Sequence, residues 1–598
     1  MVDRAGGALY NRGNGFPKRA ERMTATDNRL STAHFVLEGL QDLGLDYLFC
    51  NLGTDHAPLI EAMAQFRRDG RKLPATVLCP HENTAVHMAA GYAIATGRGQ
   101  GVMVHVDAGT ANSAMALHNL CRARVPVMLM AGKAPFTTRG ELLGTRDTYV
   151  HFVQEPFDQA SIVRPYTKWE YNLPSGVIAK EALRRAHTVM ESDPKGPVYL
   201  TFPRETLTDS WSEGQIRSYP AERFGAVAAR GVDASALEPL VTRLLAAERP
   251  LLISAYAGRN HATVAVFDEL ARFAGIRVIE FNPLYMNLPH DSPCHGGFMP
   301  AKALAEADLG MLVDVDVPWI PSDMPDNPAT WWAHIDVDAE KRNFPIWTFP
   351  GNLRLPGDSH RILSDLLEAL KRRADDAFRK RASERVKKLA EEGAARREQA
   401  AKMAANRGTP GEISPHYLCA ALAKALPPDA VVLNEAIRNG PVVMQQMPRT
   451  RPGSLVGLSG GGLGFSGGMA LGLKLAWPER TVVQVVGDGT FYFSNPQSTL
   501  AVGRQYKLSV LTVILDNTGW AAVKEATLRV YPEGEAKAAA DYGSVLAPDM
   551  DFSKVAEAAG AHGELVSDPG AVDGAIARCL AALEDGRSAI LHARVTKL

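Results

Sequence analysis

The chain is short of cysteine, almost without net charge and lacks any long apolar run, and each shortage excludes a class of protein. Only six cysteines occur in 598 residues; they are Cys50, Cys79, Cys121, Cys294, Cys419 and Cys579, and no two form a C-x-x-C pair. A disulfide framework or a zinc ribbon needs closely paired thiols, so this scatter predicts reduced cysteines and a cytoplasmic setting. Lys plus Arg (65) and Asp plus Glu (66) cancel to a net charge of −1, with a pI near 7.0. Such a balance gives no field that would gather nucleic acid or an anionic membrane. No apolar run reaches the ~18 residues needed to cross a bilayer. Residues 1–28 lack the apolar core of a secretory signal and read as a flexible N-terminal extension, with Met23 a second candidate start.

What the chain does have is bulk and pattern. Apolar residues make up 46%, enough to fill the cores of the roughly three or four domains expected at this length. The most telling stretch is Val482–Trp520. Val482–Val486 and Leu511–Leu515 are short, apolar and β-branched, and read as buried parallel strands joined by a helix over Asn495–Tyr506. Ligands of such sheets sit beyond the carboxyl ends of the strands, where Gly487-Asp488-Gly489-Thr490 and Asp516-Asn517-Thr518-Gly519-Trp520 fall. Mg²⁺ takes about six oxygens, one or two of them from protein groups and the rest from phosphate and water. Asp488, Asn517 and the Gly519 carbonyl supply three, leaving the others to a diphosphate and water. Gly487 and Gly489 let the backbone approach phosphates, and Thr490 presents a hydroxyl and an N–H to the anion.

Three other segments are distinctive. Cys79-Pro80-His81-Glu82-Asn83-Thr84-Ala85-Val86-His87-Met88-Ala89-Ala90-Gly91-Tyr92-Ala93 is a strand end running into a helix with one carboxylate, Glu82, at the junction. Gly460-Gly461-Gly462-Leu463-Gly464-Phe465-Ser466-Gly467-Gly468 is a glycine-rich turn entering a small-residue helix. Asn434-Glu435-Ala436-Ile437-Arg438-Asn439-Gly440 follows an apolar run. Together with the G-D-G stretch these segments resemble the motifs of the thiamine-diphosphate-dependent enzyme superfamily, in its acetolactate synthase-like or pyruvate oxidase-like branch. Asp516 stands where the family's N-N pair has its first Asn. The resemblance implies that Asp488, Asn517 and Gly519 hold Mg²⁺. It implies that Gly487, Gly489, Thr490, Trp520, Arg438 and Asn439 line the cofactor, and that Leu463 wedges between its two rings. It further implies that Glu82 bonds the aminopyrimidine and activates the cofactor, a task suited to a carboxyl that can share a proton with a ring nitrogen.

The fold expected is α/β with three doubly wound parallel-sheet domains. A pyrimidine-binding domain spans 29–210, a middle α/β domain 225–370, a charged linker 371–410 and a diphosphate- and Mg²⁺-binding domain 411–598. The linker is dense in both charge signs and reads as a solvated helix. In the family the cofactor lies between the first domain of one subunit and the third of another, which implies a homodimer as the minimal active unit and a homotetramer as a common form.

Reaction type rests on fewer residues. Asn51-Leu52-Gly53-Thr54-Asp55-His56 occupies the loop after the first strand, which faces the thiazolium in relatives, so Asp55 and His56 are candidates for proton handling, beside a plain capping role. Gln154, in His151-x-x-Gln154-Glu155, stands where a Gln contacts substrate in carboligases and lyases. The His-His pair of pyruvate decarboxylases is absent from this region. Trp520-Ala521-Ala522-Val523 resembles a benzaldehyde lyase segment. These features favour making or breaking a C–C bond next to a carbonyl, with 2-keto acids or acyloins as the small-molecule substrates. Alternatives are a 2-hydroxyacyl-CoA lyase or oxalyl-CoA decarboxylase type, with ADP or CoA on the middle domain, or a 2-keto acid decarboxylase. Further off stand a flavin-dependent oxidase and a non-catalytic paralogue. Leu288–Phe298 matches the flavin-site segment of acetolactate synthases poorly, which speaks against FAD.

Overall fold

Three parallel sheets follow one another along the chain, each made from short runs of Val, Ile, Leu and Met that alternate with helices. The computed structural model describes residues 29–596; the N-terminal extension, Met23 included, lies outside the described residues.

The first sheet contains β1 (Tyr47–Asn51), β2 (Ala75–Leu78), β3 (Gln100–Val104), β4 (Val127–Lys133), β5 (Glu170–Asn172) and β6 (Val198–Pro203), with helices α1 (Glu82–Thr96) and α2 (Val106–Ala123) among the crossovers. Its order is β2-β1-β3-β4-β6-β5, parallel throughout. The middle sheet contains β7 (Pro250–Ser254), β8 (Arg277–Glu280), β9 (Leu309–Val313), β10 (Trp331–Asp336) and β11 (Leu353–Pro356), in the order β8-β7-β9-β10-β11. The charged run becomes the 30-residue helix α3 (Asp376–Ala405), which is not wholly solvated: Phe378, Ala382 and Leu389 enter the middle-domain core.

The third sheet contains β12 (Val431–Glu435), β13 (Leu455–Val456), β14 (Val482–Gly487), β15 (Leu511–Asp516), β16 (His562–Val566) and β17 (Ala589–Arg594), around the helices α4 (Ser466–Ala476), α5 (Asp488–Phe493), α6 (Pro496–Tyr506) and α7 (Ala521–Val530). Its order, β13-β12-β14-β15-β17-β16, repeats that of the first sheet strand for strand, although the two sequences show no obvious repeat. Central strands of both are buried on both faces, which is why they read as unbroken apolar runs instead of alternating ones. In each sheet the order reverses between the first and third strands met along the chain, and that crevice is where ligands of open α/β sheets sit.

First and third domains meet along α1 and α4. The two backbones touch: a β-carbon on Gly91 would lie 2.2 Å from the Met469 carbonyl oxygen, and one on Gly472 would lie 2.0 Å from that of Met88. Asn83 Nδ2 donates to the Gly464 carbonyl at 3.3 Å, and Thr84 Oγ1 to Ser498 Oγ at 2.9 Å. Glycine and alanine on both helices are what permit this approach.

In the middle sheet the corresponding crevice is filled from within. Lys341 Nζ donates to Asp336 at 2.6 Å, Asp316 at 2.8 Å and the Tyr256 hydroxyl at 2.8 Å. Arg124, at the end of α2, reaches across from the first domain to Asp316 at 2.8 Å and Asp338 at 3.0 Å. Asp314 is buried beside them. A nucleotide diphosphate brought here would meet four carboxylates and have to displace cations already paired with them. At this crevice neither the ADP or CoA considered for the middle domain nor the ADP half of FAD would fit. The cluster acts as a clasp between domains, and breaking it should be costly, since removing one member of a buried ionic group typically costs about 3–5 kcal/mol. Lys341→Ala is expected to destabilise the protein by that order, read as a fall in the midpoint of thermal or denaturant unfolding.

Candidate functional site

Two sets of side chains stand at the carboxyl edges of the first and third sheets. In the third, β14 and β15 are neighbours with Gly487 opposite Leu515, so Asp488 and Asn517 leave the sheet side by side. The Asn517 amide places one terminal atom 3.1 Å from Asp488 Oδ1 and 2.9 Å from the Gly519 carbonyl oxygen; turned nitrogen-inward it donates to both, and turned oxygen-inward it joins them as a third oxygen donor. The oxygen-inward arrangement brings three oxygens together and needs a cation between them. An octahedral Mg²⁺ with Mg–O of about 2.0–2.1 Å holds neighbouring oxygens about 2.9 Å apart, so this donor set fits the ion. Burial, helped by the charge of Asp516, pushes Asp488 up to about 6; a bound cation would keep it ionised.

The backbone that delivers Gly519 leaves no room for another residue. Its φ is +146° and a β-carbon would fall 2.1 Å from the Ser544 carbonyl oxygen, so only glycine can present this carbonyl. Asp516 is turned away: it accepts the Thr518 N–H at 2.8 Å and pairs with His592 Nε2 at 2.8 Å, bracing the turn without joining the oxygen set. Gly487 ends β14, and Gly489 and the buried Thr490 open α5. The Trp520 ring lies where a side chain at Gly489 would be, and its Nε1 has no hydrogen-bond partner among the described residues. Leu463 is half-buried in the glycine-rich turn. Asn439 is buried, and its Oδ1 has no partner among the described residues. Arg438 pairs with Glu525 of α7, so its guanidinium is already engaged.

Glu435, at the end of β12, is a residue the sequence reading named only within its loop. It is buried and accepts N–H groups from Gly464 at 2.6 Å, Phe465 at 3.3 Å and Ser466 at 2.9 Å. It thereby pins both the turn carrying Leu463 and the start of α4.

The first-domain edge carries Glu82, Asp55 and Gln154. Glu82 begins α1 with 7% exposure and accepts from Asn112 Nδ2 of α2 at 3.0 Å. Asp55 is fully buried and bonds His105 Nδ1. Burial raises the Asp55 carboxyl, yet the His105 hydrogen bond and the neighbouring His56 leave it below its ordinary value. His105 is raised, chiefly by its bond to Asp55, with Gln154 adding to the effect. His105 ends the loop between β3 and α2, next to Gly109 and Asn112 that flank Glu82, and was not among the residues singled out from sequence. A lone His after an apolar strand was the available signal.

His56 is oriented quite differently from Asp55. It is fully buried, its Nδ1 accepts the Gly53 N–H at 3.0 Å, and its Nε2 has no partner among the described residues. Burial lowers its pKa, so it is a neutral core imidazole. Among the described residues no hydrogen bond or ion pair joins Asp55, Glu82 or Gln154 to Asp488, Asn517 or Gly519. The two edges are linked by neighbours instead, through Asn83 to Gly464 and Asn119 Nδ2 to the Gly462 carbonyl at 2.8 Å.

Comparison with known proteins finds counterparts of both domains. Residues 30–162 match the model for the thiamine pyrophosphate enzyme N-terminal TPP binding domain. Residues 439–593 match the one for the C-terminal TPP binding domain. The acetolactate synthase large subunit of Lactococcus lactis is 24% identical over 542 residues, covering 89% of this chain and 87% of that protein. Benzoylformate decarboxylase of Pseudomonas aeruginosa is 26% identical over 572 residues, covering 92% and 97%. The crystal structure of benzoylformate decarboxylase from Polynucleobacter necessarius superposes with a TM-score of 0.75 at 20% identity, covering 95% of this chain and 99% of that one, a likeness of fold. No helix among the described residues is long and apolar enough to cross a membrane. With both cofactor-binding domains matched in order, the chain is an enzyme of the thiamine-diphosphate-dependent superfamily.

Proposed function

We propose that the chain is a Mg²⁺- and thiamine-diphosphate-dependent 2-keto acid decarboxylase, releasing CO₂ and an aldehyde. Relatives of both kinds match it, a carboligase and a decarboxylase, so work on the C–C bond next to the carbonyl of a 2-keto acid is common ground. The observation that carries the finer reading is the Asp55–His105 pair. After CO₂ leaves, the carbon that held it must receive a proton before an aldehyde can depart. An imidazole raised by a buried carboxylate holds such a proton near neutral pH.

Asp488, Asn517 and the Gly519 carbonyl would hold the Mg²⁺, and Glu82 would bond the cofactor's aminopyrimidine. When bound, thiamine diphosphate supplies the nucleophilic carbon for the carbonyl and the sink for the electron pair that CO₂ leaves behind. The chain's own residues orient and move protons: Glu82 at the pyrimidine, Gln154 donating to the substrate's carbonyl oxygen, His105 delivering the proton. His105 takes the part first considered for His56, whose ring has no access to a substrate. Since the two edges share no direct bond in one chain, a homodimer in which each first-domain edge faces the partner's third-domain edge is the natural active unit.

The test is incubation of the loaded protein with a panel of aryl and alkyl 2-keto acids, with products followed by mass spectrometry. One aldehyde per CO₂ supports decarboxylation, whereas hydroxyketones as sole products would return the reading to carboligation. Gln154→Ala and His105→Ala are expected to lower kcat by about 10²–10³-fold, the range for losing a principal donor to developing charge, with cofactor affinity kept. Turnover by both variants at the parent rate would show the wrong loops have been chosen.

A further inference from the structure

Outside the two edges, the densest group of titratable side chains lies in the middle domain after β8. Glu280, the last residue of that strand, is fully buried. Its Oε1 accepts the Asn287 N–H at 2.7 Å and Asn287 Nδ2 at 2.9 Å. Its Oε2 lies 3.0 Å from His290 Nε2 and 3.1 Å from His295 Nε2. Burial works against the charge, but the two imidazoles hold the carboxyl well below the usual carboxylate range.

One Glu and two His at this spacing also make a transition-metal ligand set. The far side of His290 decides against a metal. Its Nδ1 accepts the Arg449 N–H at 3.0 Å, so the ring proton sits on Nε2, where a metal would need a lone pair. The cluster therefore holds protons: Glu280 accepts from His295 Nε2 at 3.1 Å, while His290 Nε2, 3.0 Å away, lies beside the carboxylate without a hydrogen bond to it among the described residues.

With its Nε2 donating to Glu280, His295 has no partner for Nδ1 among the described residues, which leaves that nitrogen as an acceptor. Burial lowers its pKa despite the opposing pull of Glu280, which keeps that lone pair available. His295 lines a cavity of about 710 Å³ between the 281–299 segment, α3 and the Asn434–Gly440 loop. Phe281, Phe298, Met299 and Met444 give it apolar walls, and Arg396 and Arg397 of α3 reach into it. Arg396 donates to the His295 carbonyl. Among the described residues neither arginine has a carboxylate partner, whereas nearby Arg277 takes Glu392 at 2.6 Å. A half-buried guanidinium without a counter-charge calls for an anion, the walls call for an apolar body, and the imidazole lone pair calls for a hydroxyl donor.

We propose that this cavity is a binding site for a hydroxycarboxylate with an aryl or branched-alkyl body, its carboxylate on Arg396 and its hydroxyl donating to His295 Nδ1. Glu280 and His290 are positioning residues that fix the ring. The Asn434–Gly440 loop leaves β12 beside β14, Glu435 opposite Val486, so one loop borders both this cavity and the Asp488 edge.

The test is isothermal titration of the Mg²⁺–thiamine diphosphate-loaded protein with 3-phenyllactate, 3-phenylpropionate and 3-phenyllactamide. Phenyllactate is expected to bind tightest, with phenylpropionate, lacking the hydroxyl, about 10-fold weaker, and the uncharged amide weaker by at least as much. His295→Ala should abolish the preference for the hydroxyl while carboxylate binding persists. Arg396→Gln, on the half-exposed face of α3, should abolish the preference for charge and remains informative if His295→Ala fails to fold. Equal binding of all three compounds, no binding, or an unchanged order in Arg396→Gln would overturn the proposal. Competitive inhibition of 2-keto acid turnover by phenyllactate would mark the ligand as a relative of the substrate, and non-competitive inhibition as a separate effector. The titration needs no turnover, so failure of the decarboxylase reading leaves it intact.

Discussion

Asp488→Ala will lose Mg²⁺-dependent retention of thiamine diphosphate. The expectation follows from the converging oxygens at the third-sheet edge. Asp488 contributes the only formal negative charge among the three, since Asn517 and the Gly519 carbonyl are neutral and Asp516 is committed to His592 and the Thr518 N–H. Without it, a diphosphate and its cation would be held by dipoles alone. Removing a group that merely supports a ligand already costs about 10–100-fold in metal affinity, and loss of the ligand itself should exceed the upper figure. Titration of the cofactor-free variant with thiamine diphosphate at fixed Mg²⁺ reads the effect. Wild-type affinity there would remove the metal assignment.

Glu82→Gln separates binding from chemistry. The glutamine is nearly the same shape, and its amide oxygen can still accept from Asn112, so the first-domain edge should fold as before and the cofactor should bind with similar affinity. It cannot exchange a proton with a ring nitrogen. Exchange of the cofactor's C2 proton for deuterium, followed by quenched NMR, is expected to slow by about 10²–10⁴-fold, the range for losing a general acid–base group. An unchanged exchange rate would take Glu82 out of the mechanism, whatever the variant did to turnover.

How far these positions could be read without coordinates depended on the kind of signal each carried. β14 and β15 were legible because strands buried on both faces are unbroken apolar runs, and because glycine and Asx residues mark where they stop. Asp488 and Asn517 came with them, since adjacent parallel strands bring their carboxyl ends together by geometry alone. The equal strand order of the first and third sheets has no trace in sequence identity, because apolar runs of many compositions build the same layer. His105 escaped notice since one histidine after a strand has no spacing to betray it. His56 and Asp55 are neighbours in a single tight turn, Thr54–His56, and adjacent residues of such a turn point apart; no periodicity says which faces the site. Arg438 and Glu525 lie far apart in the chain, as do Arg124 and Asp316, and long-range ion pairs leave no local mark. The Glu280, His290 and His295 group is closed by an irregular loop whose path only the packed structure shows.

The contact of α1 with α4 bears on how such an enzyme can be altered. Where two helices meet backbone to backbone, neither tolerates an added methyl group unless the other yields, so each sequence is written in terms of its counterpart. Grafting the first domain of a relative onto this chain, or recombining two relatives between residues 200 and 460, would therefore pair helices that were never fitted to each other. Chimeras that inherit α1 and α4 from the same parent should fold and load cofactor; those that split the pair should not, however well their pockets match.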